Sequence, residues 1–215
     1  MTKPKALYLH VGTHKTGTTA IQALLATRSE AFAQAGFFVP RTGRIGEVSG
    51  HHNIAWELNA DARYRPAFGT LVELCEELKA SPHPAAIISS EDFEYFYCDA
   101  RALKALKVAF EGCGYQVEVL MFLREQSAMI GSLYQELLKH GLDMRYHVFS
   151  CAVIMKGEFA MHGKCGGIAC PTSGWSRGLL RCLVRRMCIA GPTSDPWRRP
   201  FWIWWGIAAG ASPMG

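Results

Sequence analysis

LYLHVGTHKTGTT, residues Leu7 to Thr19, takes an apolar run directly into a turn of glycines and threonines with one lysine inside it. A strand that empties into such a turn and continues as a helix presents unpaired backbone N–H groups at a positive dipole end, where an anion can dock. A tight strand-to-helix connection with no ligand uses the same residue types, so the loop needs support from elsewhere in the chain.

The triphosphate-binding pattern G-x-x-x-x-G-K-[ST] is a direct comparison. Gly12 and Gly17 stand at its glycine positions and Thr19 at its hydroxyl position, but Thr18 fills the lysine slot. Lys15, the lysine of this loop, precedes Gly17 by two residues and so approaches an anion from the loop mouth. That departure weakens an ATPase or GTPase reading.

VEVLMFLREQSAMIGSLYQELLKHG, Val117 to Gly141, repeats the layout. Val117 to Leu123 is a nearly continuous apolar run suited to a strand covered on both faces, and Ile130, Leu133, Leu137 and Leu138 recur at helical spacing. Arg124 closes that strand and Ser132 follows on the helix. An arginine suits phosphate because its planar guanidinium offers paired donors. Both motifs fall where open α/β sheets collect ligands, at carboxyl ends of strands.

Other segments complete a parallel layer. AIQALLATRSEAFAQAG, ending at Gly36, reads as a helix followed by FFVP. Arg65 to Lys79 is helix-compatible through Phe68, Leu71, Leu74, Cys75 and Leu78, until Pro82 and Pro84 break it. Ala85 to Ser90 reads as a short buried strand, with Glu91 at its end and the aromatic stretch to Tyr97 beyond. Asp99 to Glu111 predicts a covering helix with Leu103, Leu106, Val108 and Phe110 on one face and Asp99 as its cap.

The K-T-G-T-T loop after a strand, together with an arginine at a strand end and a serine eight residues later, resembles the bacterial sulfotransferase-like family over roughly residues 5 to 148. The resemblance implies a P-loop-like three-layer α/β fold, a central parallel sheet flanked by helices, and transfer of a sulfuryl group from 3′-phosphoadenosine 5′-phosphosulfate to a hydroxyl or amine. It further implies a donor site of Thr13, His14, Lys15, Thr16, Gly17, Thr18 and Thr19 on the 5′ side, and Arg124 and Ser132 on the 3′-phosphate. His14 either touches the donor or faces solvent. Lys15 would stabilise charge growing on the departing phosphate. Two residues compete as the base. Glu91 stands at a strand end, and His52 opens a helix-like segment in SGHHNIAWEL. Each has an alternative as a helix start or cap. No metal is expected, and the acceptor would be a small molecule, glycan or lipid. A P-loop nucleotide kinase or hydrolase is the alternative, a non-enzymatic remnant the third reading.

Composition divides the chain. Residues 1–150 hold 15 Lys plus Arg against 16 Asp plus Glu, whereas residues 151–215 hold eight against two, with five of the eight cysteines and five of the six tryptophans. A basic, aromatic tail raises nucleic-acid binding, which is not the expected partner. FWIWWGIAAGA is 11 residues, short of the roughly 20 that span a bilayer. Cysteine spacings without C-x-x-C fit zinc poorly. The tail lacks helical or alternating periodicity. We therefore expect a sulfotransferase-like domain over 1–149, incomplete at its carboxyl side, and an irregular, disordered or out-of-frame tail over 150–215. Resequencing that found the tail in frame, with related proteins ending alike, would overturn this. Lys3 and Lys5 lead straight into the first strand with no leader pattern, so a cytoplasmic location is expected, with Cys75, Cys98 and Cys113 reduced.

Overall fold

The computed structural model describes residues 4–12, 15–47, 49–97, 100–122, 124–156 and 187–190. They form an α/β fold in which a parallel sheet is flanked by helices, the P-loop-like layered arrangement. The strands are β1 (Lys5–Val11), β2 (Phe37–Phe38), β3 (Ala85–Ser90), β4 (Tyr115–Phe122) and β5 (Met187–Ala190), in the spatial order β2-β3-β1-β4-β5. Every pairing is parallel. β1 lies at the centre, with Ala6 opposite Ala85 on one side and Lys5 opposite Tyr115 on the other.

Helices α1 (Thr18–Thr27), α2 (Ser29–Gln34), α3 (His52–Leu58), α4 (Leu71–Ala80), α5 (Ala100–Gly112), α6 (Gln126–Lys139) and α7 (Tyr146–Lys156) connect and cover the strands. The main core joins Leu7, Leu9 and Val11 of β1, Ala86 and Ile88 of β3, and alternate residues Tyr115, Val117, Val119 and Met121 of β4 to side chains of α3, α4 and α5. Full burial of each large apolar side chain contributes about 1.5–3 kcal/mol. A separate cluster joins Met129, Ile130, Leu133 and Leu137 of α6 to Phe149 and Val153 of α7.

Several local expectations are corrected. The single helix read from Ala20 to Gly36 is two, because α1 stops at Thr27, whose hydroxyl donates to the Ala23 carbonyl, and Arg28 leaves helical geometry. The pattern from Arg65 contains a 3-10 turn, Pro66–Phe68, and α4 begins only after Thr70. Thr70 and Glu73 form a reciprocal capping box there, which is a strong start signal. β4 alternates between buried and half-buried residues instead of being deeply covered on both faces, and Glu118 lies on the shallower face. Val108 of α5 and Leu138 of α6, expected on apolar faces, are exposed.

Residue 149 lies inside α7, so the helix runs across the expected domain limit, with Phe149 buried and Ile154 and Met155 exposed. Apart from α7 and β5, the tail lies outside the described residues. Asp99 and Cys98 also lie outside them, while Cys75 and Cys113 are free thiols. Among the described residues no helix is long and apolar enough to cross a membrane.

Candidate functional site

β1 ends at Val11, and Gly12 lets the next helix start against it. A Cβ on Gly12 would come within 2.1 Å of Thr18 Cγ2 and 3.2 Å of Glu91 Cβ, so this close approach requires glycine. The chain then turns through Lys15 at φ 68° and Gly17 at φ 87° before α1 begins. Among the described residues no side chain at the N-cap Gly17 accepts from the first amides of α1, and that first turn holds no acidic residue. Thr13 and His14 lie outside the described residues. Thr18, at the position where a triphosphate loop has lysine, is buried against Gly12.

The second motif meets the first across the sheet's central pair of strands. Arg124 Nη1 donates to the Lys15 carbonyl at 3.1 Å, across 109 residues of sequence. Lys15 Nζ in turn reaches Glu136 Oε2 on α6 at 3.2 Å. A cleft of about 440 Å³ is lined by Lys15, Gly17, Thr18, Thr19, Glu91, Arg124, Ser132 and Glu136. Seven of these eight residues are candidates named from the sequence. Glu136 is the exception, although its position one helical turn past Ser132 was an available signal. Thr16 is not among the lining residues.

The start of α6 differs from that of α1. Glu125 caps it, its carboxylate accepting from the Ser127 amide at 2.9 Å and the Ala128 amide at 2.8 Å. The Ser127 hydroxyl, and then those amides, hold the Glu125 carboxyl below its usual range. The positive end of α6 is therefore occupied by a residue of the chain itself.

Glu91 and His52, proposed as competing bases, are neighbours. His52 Nε2 lies 3.9 Å from Glu91 Oε2, and the same carboxylate accepts from Gln22 Nε2. On the other side of the ring, His52 Nδ1 is 2.8 Å from Asp92 Oδ2 and 2.9 Å from Ser90 Oγ. A carboxylate accepts, so His52 Nδ1–H donates to the nearer acid, Asp92 Oδ2, and Nε2 faces Glu91. Asp92 is fixed by its own amide donating to Ser90 Oγ at 3.0 Å and by Arg63 at 3.5 Å. Arg63 stacks on Trp56, which also faces the His52 ring. Glu91 lines the cleft; His52 stands behind it. The Asp92 contact went unread in sequence because two adjacent acids do not reveal which one turns toward the histidine.

His51 takes a different part. It is buried, accepts from the Ser89 amide through Nδ1 at 3.1 Å and donates from Nε2 to the Pro40 carbonyl at 3.1 Å. Burial pushes it down to about 4, with the Arg44 charge acting the same way. It therefore remains neutral and ties the loop before α3 to β3. His10, near the end of β1, is equally buried, with Nδ1 at 2.6 Å from Ser89 Oγ. Burial lowers it to about 4 against the opposing charge of Glu91. Among the described residues no group of three or more His, Cys, Asp or Glu side chains is arranged to hold a metal ion.

No family model matches the sequence, and no curated protein does either. A structure from the PezAT chromosomal toxin–antitoxin system of the human pathogen Streptococcus pneumoniae is similar at 13% identity and a TM-score of 0.41, over 94% of this chain and 72% of that one. A likeness this distant carries no functional argument.

Proposed function

We propose that the chain is a sulfotransferase that moves a sulfuryl group from 3′-phosphoadenosine 5′-phosphosulfate to a hydroxyl or amine of a small molecule, glycan or lipid. The observation that supports this reading is the meeting of two distant motifs: the uncapped loop around Lys15 and the pair Arg124 and Ser132 line one cleft. A donor carrying anionic groups at both its 5′ and 3′ positions needs two such clusters.

In the proposed reaction the amides of Gly17, Thr18 and Thr19 hold the 5′-phosphate, and Arg124 with Ser132 takes the 3′-phosphate. The acceptor oxygen or nitrogen bonds to sulfur while the bond from sulfur to the bridging oxygen breaks. Charge then grows on the departing nucleotide phosphate, where Lys15 Nζ stabilises it more than in the ground state. The acceptor's proton passes to Glu91, the carboxylate on the cleft, with His52 as its neighbour. Asp92 orients that imidazole from behind.

The second reading, a P-loop nucleotide kinase or hydrolase, is favoured by the spacing of Gly12, Gly17 and Thr19 and opposed by the buried Thr18 in the lysine slot. Calorimetry with 3′,5′-adenosine bisphosphate and with ATP, each with and without magnesium, separates the two, since triphosphate enzymes use the ion to bridge phosphates. Magnesium-independent preference for the bisphosphate is expected. Arg124→Ala should weaken the bisphosphate about tenfold or more and leave 5′-AMP nearly unchanged, as lost charge-assisted bonds predict. Preference for ATP with magnesium would replace this reading with the kinase one. Loss of all binding, with no cooperative melt, would favour a non-enzymatic remnant.

A further inference from the structure

The cleft contains an anion of its own. Glu136 lines it, and its Oε2 lies 3.2 Å from Lys15 Nζ, with the two side chains 31% and 30% exposed. A carboxylate fixed beside the lysine that would meet an incoming phosphate or sulfate is a competitor for that lysine. It also repels the ligand directly, because like charges this close in a partly screened cleft oppose each other.

The contacts around Glu136 make the competition reversible. The same oxygen accepts from Lys139 Nζ at 3.1 Å, and Oε1 lies 3.6 Å from His140 Nε2. If Lys15 departs, Lys139 on the same helix still neutralises the carboxylate, so no isolated charge remains. Lys15 needs only its side chain to move, since Arg124 continues to hold its backbone carbonyl. Lys139, and secondarily Lys15, keep the Glu136 carboxyl down at about 2, so it is ionised at any working pH.

We infer that Glu136 is a specificity-determining residue: an internal counter-anion that a ligand's 5′-side phosphate or sulfate must displace from Lys15. This rests on the reading of the cleft as an anion site and adds a residue that the proposed donor chemistry does not require. Ligands that take Lys15 meet this competition. Ligands held only on the Arg124 side do not.

Calorimetry on the full chain, with inorganic pyrophosphate, 3′,5′-adenosine bisphosphate and 3′-AMP as probes, tests the assignment. An exposed ion pair is worth up to about fivefold in binding, and removing a like charge adds to it, so Glu136→Gln should tighten pyrophosphate and the bisphosphate by about three- to tenfold. 3′-AMP should change by less than about twofold on the same grounds. When Lys15→Ala is combined with Glu136→Gln the gain should fall to the direct-repulsion remainder, about twofold or less, because the pair term is gone. Glu136→Ala serves as a second variant with the same expectation. Unchanged or weaker binding in both variants, an undiminished gain without Lys15, or no pyrophosphate binding by any of the proteins would overturn the inference. The sulfonucleotide reading fails separately: pyrophosphate would respond to Glu136→Gln while the bisphosphate bound no better than 5′-AMP.

Discussion

β1 and β4 lie side by side and deliver the chain to helices at the same edge of the sheet, yet the two turns are finished in opposite ways. At the end of β1, left-handed Lys15 and Gly17 lead into a helix with no side-chain cap. At the end of β4, Glu125 takes the first amides of α6 for itself. Under the proposed function the first turn would offer backbone donors to a ligand, whereas the second would offer side chains, Arg124 and Ser132. The layers beneath differ as well, since buried His10 of β1 stands in register with Leu120 of β4. A helix amino terminus is a binding element only where the chain has not already supplied the acid.

The largest test of that contrast is Lys15→Ala. If the first turn carries the leaving-group chemistry, turnover should fall about 10²–10³-fold, as for loss of a single transition-state donor, with much less change in donor affinity. Single-turnover donor consumption, with water as acceptor if none better is found, provides the measurement. Equal losses in affinity and turnover would reduce Lys15 to a binding contact and erase the distinction from Arg124.

Acid should sharpen the contrast next. His10 and His51 are lowered from 6.5 to about 4 in the folded chain, so on acidification the unfolded chain takes up their protons first. The stability held by their neutral forms is complete above pH 6.5 and declines as pH falls toward 4, by about 1.4 kcal/mol per pH unit for each histidine. Urea unfolding at pH 7, 6 and 5 should show the midpoint falling, and His10→Gln should remove about half the slope by the same count. A flat midpoint from pH 7 to 5 would mean that neither ring is held neutral.

Glu125→Ala gives the smallest effect. Loss of the cap should be readable as a slightly lower urea midpoint. It should also make the start of α6 resemble that of α1. If stability does not change, water serves the α6 amides as well as the carboxylate does, and the two turns differ less than their hydrogen bonds suggest.

Much of the frame was legible because its signals are local. The apolar run Ala85 to Ser90 is β3 as read, and Gly36, at φ 87°, closes the segment before β2. Errors arose where one face had to be chosen. Val108 and Leu138 are apolar residues within helical patterns, but burial depends on what packs opposite, and among the described residues both stay exposed. The start of α4 was misplaced because Phe68 continued the apolar spacing through a 3-10 turn, although Thr70 and Glu73 carried the capping signal.

The sequence by itself determined the ends of β1 and β4 and the glycines that shape the first turn, and it singled out Lys15, Arg124 and Ser132, which line one cleft. These follow from short-range chemistry: which residues tolerate a left-handed backbone, which lack a Cβ, and which end an apolar run. Only the tertiary structure decided that Glu91 and His52 are neighbours, that Asp92 turns the imidazole, and that Glu136 reaches Lys15 across 121 residues. Electrostatic partners are set by distance through space, and parallel strand order creates those distances without leaving a periodic trace in the chain.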